Sequence, residues 1–192
     1  MRTVTESNEP EPTHARLRRL LEPHHDRALV FARSVCRSAA DGDDLFQEAL
    51  LRALGKLDTL REDAAFRPWL YRVIISVHRN RYRTSFWRRM LPFASAPSTE
   101  PRPDDLLAAD ERARAALSEL PHEMREALVL FEIEGWKVEE ISALLSVSTS
   151  TIKSRLARGR DRLRTIYARR FGVHDVRSSF APSTPGAPGV TR

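Results

Sequence analysis

Cysteine and lysine are nearly missing from this 192-residue chain, and each scarcity is informative. The single cysteine, Cys36, forbids an intrachain disulfide and any cysteine-built zinc cluster, which fits a reducing cytoplasm. No apolar run approaches the roughly 20 residues that a membrane-spanning helix needs. The N-terminus is polar and carries Pro10 and Pro12, unlike a signal peptide. Strand-like alternation and glycine hairpins are absent as well, so an all-α fold is expected. There is no glycine-rich phosphate loop, no metal-ligand spacing and no nucleophile with a convincing base. An enzyme is therefore the least favoured class, and no cofactor, metal or small-molecule substrate is expected. His24 and His25 are adjacent, project differently from a helix, and read as surface residues.

What is abundant is arginine. Lysine occurs only at positions 56, 137 and 153, the net charge is +6 and the pI is about 10.2. That balance favours a polyanionic partner. Arginine's planar fork suits phosphates and guanine edges, although arginine codons also track GC-rich genomes.

Along the chain, residues 1–14 are polar and read as disordered. Helical spacing runs from Ala15 to Ser38 with an interruption near Pro23, and Asp41-Gly42-Asp43 reads as a break and a new start. Leu45, Ala49, Leu50, Ala53, Leu54 and Leu57 then share a face. A further helix is expected from Phe66 through Tyr82, with Pro68 harmless in its first turn. Residues 91–105 hold four of the twelve prolines and no apolar periodicity, which describes a linker. Helical pattern resumes over 106–171, and the Ser/Pro/Gly-rich stretch 172–192 reads as a disordered tail. Two small helical domains, 15–90 and 106–171, joined by a flexible Pro-rich linker are the expected architecture.

The second domain carries the sharper motif. Ile141, Leu144 and Leu145 face a core, Ser146-Val147-Ser148 interrupts, and Ser148 or Thr149 can cap a following helix. Ile152, Leu156 and Leu163 continue the apolar stripe. From Thr149 to Arg170 there are eight Lys or Arg against Asp161 alone. A solvated helical surface usually mixes signs at i,i+4 spacing, whereas residues 138–158 match a helix-turn-helix whose second helix enters the DNA major groove.

The first domain is polarised. Between Ala64 and Thr99 there is no acid, while Arg67, Arg72, Arg79, Arg81, Arg83, Arg88 and Arg89 interleave with Phe66, Trp69, Tyr71, Tyr82, Phe86 and Trp87. Basic grooves lined with aromatics hold single-stranded nucleic acid, each stacked base contributing about 1–3 kcal/mol. Trp69 shares helical spacing with Val73, Ile74 and Val77 and reads as core; Tyr71, Tyr82 and Trp87 fall off that stripe. Asp41, Asp43, Asp44 and Glu48 cluster at a helix N-terminus, where dipole compensation is the plain reading and calcium-loop order is lacking. Yet Asp44, Gln47, Glu48 and Leu51 lie at i, i+3, i+4 and i+7, one face opposite the apolar stripe, suited to a basic helical partner.

Four motifs in order now carry a resemblance: Asp43-Asp44-Leu-Phe-Gln-Glu-Ala-Leu-Leu-Arg-Ala, Phe66-Arg-Pro-Trp-Leu-Tyr-Arg-Val, a proline-rich linker, and Leu120-Pro-x-x-x-Arg-Glu-Ala-Leu before the helix-turn-helix. Together they resemble bacterial RNA polymerase sigma factors of the sigma-70 family, extracytoplasmic-function type, over about residues 15–168. The resemblance implies that 15–90 is sigma domain 2 and 106–171 is sigma domain 4. It implies that Asp44, Gln47, Glu48 and Leu51 bind the coiled coil of the largest subunit of core RNA polymerase, with the flap region as a second contact. The stretch from Asp58 to Arg83 would melt and read the promoter −10 element, through Arg61, Phe66, Arg72, Arg79, Asn80 and Arg83. The linker would thread toward the polymerase active-site channel. Thr151, Lys153, Ser154, Arg155 and Arg158 would read the −35 element of promoter DNA, and an anti-sigma factor is a further partner class. Ser146 and Ser150 depart from glycines common in the family's turn; a serine there is costly only if φ is positive. Ala157 occupies a position that can be bulky.

Two other readings fit the residues less well. A sigma-like adaptor that binds an anti-sigma regulator would lose the basic recognition helix or the arginine-aromatic segment, and this chain keeps both. A plain helix-turn-helix regulator leaves the first domain without a task.

Overall fold

The computed structural model describes residues 11–89 and 105–172, helical throughout with no strand among them. The linker expected at 91–105 and the tail expected at 172–192 fall almost wholly outside the described residues, as does residues 1–10 of the expected N-terminal disorder. Helix α1 is Thr13–Leu21, two residues longer at its start than the sequence suggests. Pro12 supplies the extended residue before it, and the Glu11 carboxylate accepts from Arg19 Nη2 at 2.8 Å. A 3-10 turn over Glu22–His24 accommodates Pro23 and leads into α2, His25–Val35.

Helix α3 spans Ala39–Leu54, so Asp41-Gly42-Asp43 lies inside it and is no break. Ser38 is the cap, its side chain accepting from the Asp41 amide at 3.0 Å. Gly42 serves packing: a Cβ there would sit 2.4 Å from the Arg33 Cα, so only glycine lets α3 cross α2 this closely. Leu45, Phe46, Ala49 and Ala53 face Phe31, Ala32 and Val35 in the shared core. Helix α4, Phe66–Arg89, closes that core with Leu70, Ile74 and Val77.

In the second half, α5 is Asp105–Ser118 and α6 is His122–Leu128. A π-type turn over Val129–Ile133 follows, with the Glu134 amide reaching back to the Val129 carbonyl. Then come α7, Val138–Leu145, and α8, Thr149–Phe171. Helix α8 packs on α6 and α7 through Ile152, Leu156, Leu163 and Ile166. Gly159 permits the α6–α8 crossing, since a Cβ would meet the Leu128 Cδ1 at 2.9 Å. The halves also touch each other: α2 packs against α5, α6 and the π-type turn, and α4 against α7.

Candidate nucleic-acid interface

Helix α3 presents the acidic face where the spacing predicts it. Asp44, Gln47 and Leu51 are exposed, Leu51 at 73%, opposite the buried Leu45, Ala49 and Ala53. Glu48 is less free than its neighbours. Its carboxylate accepts from Arg52 Nη2 at 2.7 Å and from Arg81 Nε at 2.6 Å, and Arg81 Nη2 also donates to the Asp44 carbonyl. Asp43 is engaged too: the Arg33 guanidinium, 2.6 Å away, holds its carboxyl below the usual range.

On α4, Arg72, Arg79, Asn80 and Arg83 recur at i, i+7, i+8 and i+11, which stacks them along one stripe. Together with Arg52, Ile75, Ser76, Leu144, Leu145 and Ser146 they line a groove of about 570 Å³ that contains no carboxylate. Arg83 Nη2 donates to the Asn80 Oδ1 at 3.0 Å, and Arg72 is exposed. Not every expected residue joins them. Arg61 is exposed on the preceding loop and does not line the groove. Phe66 is 1% exposed, stacked on His24 and tilted against Trp69, so its ring fills the core and presents no face for a base. Tyr71, read as lying off the core stripe, is buried against Phe31. The side chains of Tyr82, Phe86, Trp87, Arg88 and Arg89 lie outside the described residues.

The helix-turn-helix forms over 138–158 as its pattern predicts. Ser146 takes the left-handed conformation, φ 56° and ψ 46°, and no other non-glycine among the described residues has a positive φ. The cost raised by replacing glycine with serine therefore applies. Ser148 caps α8 by accepting from the Thr151 amide at 3.2 Å. Ile152 and Leu156 are buried, and Lys153 and Arg158 are exposed. Thr151, Ser154 and Arg155 are half-buried. Arg158 Nη2 donates to Ser154 Oγ at 2.7 Å, which holds it along the helix surface. Arg155 is drawn inward: its Nη1 is buried with no hydrogen-bond partner among the described residues.

A third group of side chains was not visible in the sequence. Consecutive residues Arg125 and Glu126, in the middle of α6, reach into the first half. Arg125 Nη1 donates to the Val35 carbonyl at 2.6 Å, at the C-terminal end of α2 where helical carbonyls lack partners. The Glu126 carboxylate is 0% exposed and accepts from Arg79 Nη2 at 2.8 Å, with His78 Nδ1 3.2 Å away. Burial pulls its carboxyl up, but His78 and Arg79 outweigh burial and hold it below the usual range. Further along, Glu134 accepts from the Tyr71 hydroxyl at 2.5 Å, and Arg67 lies over the Trp136 ring at 4.8 Å. Burial dominates there and raises the Glu134 carboxyl, against the lowering effects of Tyr71 and Arg67. No local periodicity announces pairs separated by 47, 63 and 90 residues; the one signal in the sequence is the charged pair Arg125-Glu126 between Leu120 and Leu128.

Comparison with known proteins places these features together. Residues 20–88 match the family model described as Sigma-70 region 2, and residues 110–163 match Sigma-70, region 4. The chain is 33% identical over 152 residues to the ECF RNA polymerase sigma factor SigM of Mycobacterium tuberculosis, covering 75% of this chain and 73% of that protein. It is 31% identical over 181 residues to the probable RNA polymerase sigma factor RfaY of Xanthomonas campestris, covering 90% of this chain but only 43% of that protein. The sigma factor RpoE of Bartonella quintana, solved in complex with the anti-sigma factor NepR, shares the fold. Its TM-score is 0.64 at 24% identity, over 78% of this chain and 94% of that one.

Proposed function

The chain belongs to the sigma-70 family of RNA polymerase sigma factors, of the extracytoplasmic-function type, and from that membership we propose that it binds core RNA polymerase and directs promoter-specific transcription initiation. It does so in the cytoplasm as a regulatory factor, with residues 15–90 and 106–171 as its two working units. No helix among the described residues is long and apolar enough to cross a membrane.

The observation that carries this reading is the coexistence of an exposed acid–amide–leucine stripe on α3 with two separate basic surfaces, on α4 and α8. A plain DNA-binding regulator needs no more than one of the three. On α3, Asp44, Gln47 and Leu51 offer a docking surface for a basic helical segment of the polymerase, and Glu48 becomes available when Arg81 and Arg52 release it. On α4, the acid-free groove of Arg72, Arg79, Asn80 and Arg83 suits the backbone of a melted −10 strand. On α8, Thr151, Lys153, Ser154 and Arg158 lie within the first three turns, the part of a recognition helix that reaches base edges at the −35 element. An anti-sigma protein is a further partner, supported by the complex of the Bartonella relative.

The test separates binding from folding. Changing Asp44 and Gln47 together to arginine replaces exposed side chains without touching the core, so helical circular dichroism stays at the wild-type level. Co-elution of the variant with core polymerase is expected to disappear. A variant that still co-elutes like the wild type rules out the α3 surface.

A further inference from the structure

Between α3 and α4 the chain runs through two short 3-10 turns, Leu57–Thr59 and Asp63–Ala65, with residues 60–62 in neither. Leu57 and Leu60 are buried under this loop and Phe66 is buried at its end, while Arg61 and Glu62 stand exposed between them. A loop keeps its side chains at a fixed geometry only where neighbouring groups support it. One support comes from α4: Trp69 Nε1 donates to Thr59 Oγ1 at 3.3 Å, and that hydroxyl donates to the Lys56 carbonyl at 2.7 Å.

The other support comes from α1, 44 to 47 residues away in sequence. Arg16 Nη2 donates to the Leu60 carbonyl at 3.2 Å and to Asp63 Oδ1 at 2.7 Å, and Arg16 Nε donates to the same carboxylate oxygen at 3.1 Å. One guanidinium thus ties both ends of the arc formed by Arg61 and Glu62. Arg19, one turn further along α1, donates from Nη2 to Asp63 Oδ2 at 3.0 Å. It is itself oriented by Glu11, whose two carboxylate oxygens accept from Nε at 3.1 Å and from Nη2 at 2.8 Å. The two guanidiniums hold the Asp63 carboxyl below the usual carboxylate range. Helix α1 is a firm base for this clamp, because Leu20 is buried and Leu17 and Leu21 pack against the core. Exposed ion pairs add little to stability. The clamp therefore matters for where the loop sits rather than for whether the fold forms.

Resting on the sigma-factor reading above, in which the stretch from Asp58 onward meets the −10 element, we propose that Arg16 and Arg19 are positioning residues for promoter reading: they fix Leu60 and Asp63 and so set the arc of Arg61 and Glu62 against the melted strand. Arg61 supplies donors and Glu62 acceptors, so a shift of the arc changes which base edges are satisfied. A phosphate contact has a different consequence, because losing one weakens binding to all sequences alike.

The test uses the full chain assembled with core polymerase and a promoter library randomised across the −10 element. In Arg16→Met the ratio of transcripts from the preferred −10 sequence to those from its single-base variants is expected to fall about two- to fivefold, the range for loss of an exposed ion pair. Arg16→Lys keeps the charge but not the planar fork, and is expected to behave like Arg16→Met. Asp63→Asn should lower the ratio similarly, and the double variant Arg16→Met/Asp63→Asn by less than the product of the two single effects. Hydrogen exchange of the free chain gives a readout independent of function. The Leu60 and Ala65 amides, which donate to the Leu57 and Glu62 carbonyls, should exchange about two- to fivefold faster in Arg16→Met, with α3 and α4 unchanged. A uniform loss across all −10 sequences, recovered in Arg16→Lys, would make Arg16 a phosphate contact and overturn the proposal. Unchanged base preference, unchanged loop exchange, or single effects that simply multiply would overturn it too. If the wild-type chain itself directs no promoter-specific starts, the sigma-factor reading fails instead, and the positioning role falls with it whatever the exchange rates show.

Discussion

At the scale of single residues, the chain departs from ideal local chemistry where its helix-turn-helix turns. Ser146 holds φ 56°, a left-handed conformation that costs an L-residue roughly 1–2 kcal/mol. Glycine would remove that cost while adding roughly 0.5–1 kcal/mol of chain entropy on folding. The expected outcome for Ser146→Gly is a net gain of about 0.5–1 kcal/mol, seen as a melting temperature higher by about 2 °C for a chain of this size. An unchanged or lower melting temperature would mean that the serine side chain contributes something that offsets its backbone strain. Cys36, by contrast, is inert by placement: burial pushes its thiol up to about 12, so little thiolate exists at neutral pH. Phe66 and Tyr71 show how single residues mislead. Their sequence neighbours are arginines, which points to a nucleic-acid surface, yet both rings are buried because α4 is flanked by α2 and by the π-type turn region, while Arg72, Arg79, Asn80 and Arg83 line the groove.

At the scale of elements, helical periodicity did most of what local physics allows. Helices α4, α7 and α8 begin close to where their patterns place them, and Ser148 caps α8 as its position before an apolar stripe predicts. The start of α3 is ambiguous in the sequence for a definable reason. Glycine signals both a helix break and a close helix crossing, and Asp41-Gly42-Asp43 has no neighbour in sequence to say which; Arg33, on the facing helix, decides it. The recognition helix carries a test of register. Arg158 lies in the third turn of α8 and is exposed, whereas Arg164 lies two turns further and is tied to Asp161 at 2.8 Å. Arg158→Ala is expected to relax preference at one or two −35 bases, costing about 1–3 kcal/mol on the best site. Arg164→Ala should weaken all sequences nearly equally, since later positions meet the backbone. A binding assay across a randomised −35 element distinguishes them, and a base preference that follows Arg164 would place the helix in a different register.

At the scale of the whole molecule, the two-domain, all-helical organisation was legible because patterned segments flank a proline-rich stretch. The contact between the domains was not. It depends on Glu126 and Glu134 meeting Arg79 and Tyr71 across 47 and 63 residues of sequence, and no periodicity encodes such pairs. Their effect is to join surfaces that composition alone treats as independent: the groove on α4 and the turn of the helix-turn-helix share one cavity. Among the basic side chains of α4 and α8, Arg79 pairs with a carboxylate of the other half, whereas Arg81 and Arg160 pair with Glu48 and Glu132 of their own halves. If the basic surfaces of α4 and α8 neutralise phosphates, binding to promoter should weaken steeply with added salt.

The central claim, that this chain gives polymerase its promoter choice, is tested most directly by mapping transcript starts. Core RNA polymerase is incubated with fragmented genomic DNA of the source cell, alone, with the wild-type chain, and with the Asp44→Arg/Gln47→Arg variant, and the 5′ ends of the transcripts are sequenced. The expected result is a set of starts that appears only with the wild-type chain and shares two upstream elements at constant spacing. Starts identical to those of core enzyme alone, or equally abundant with the variant, would contradict it.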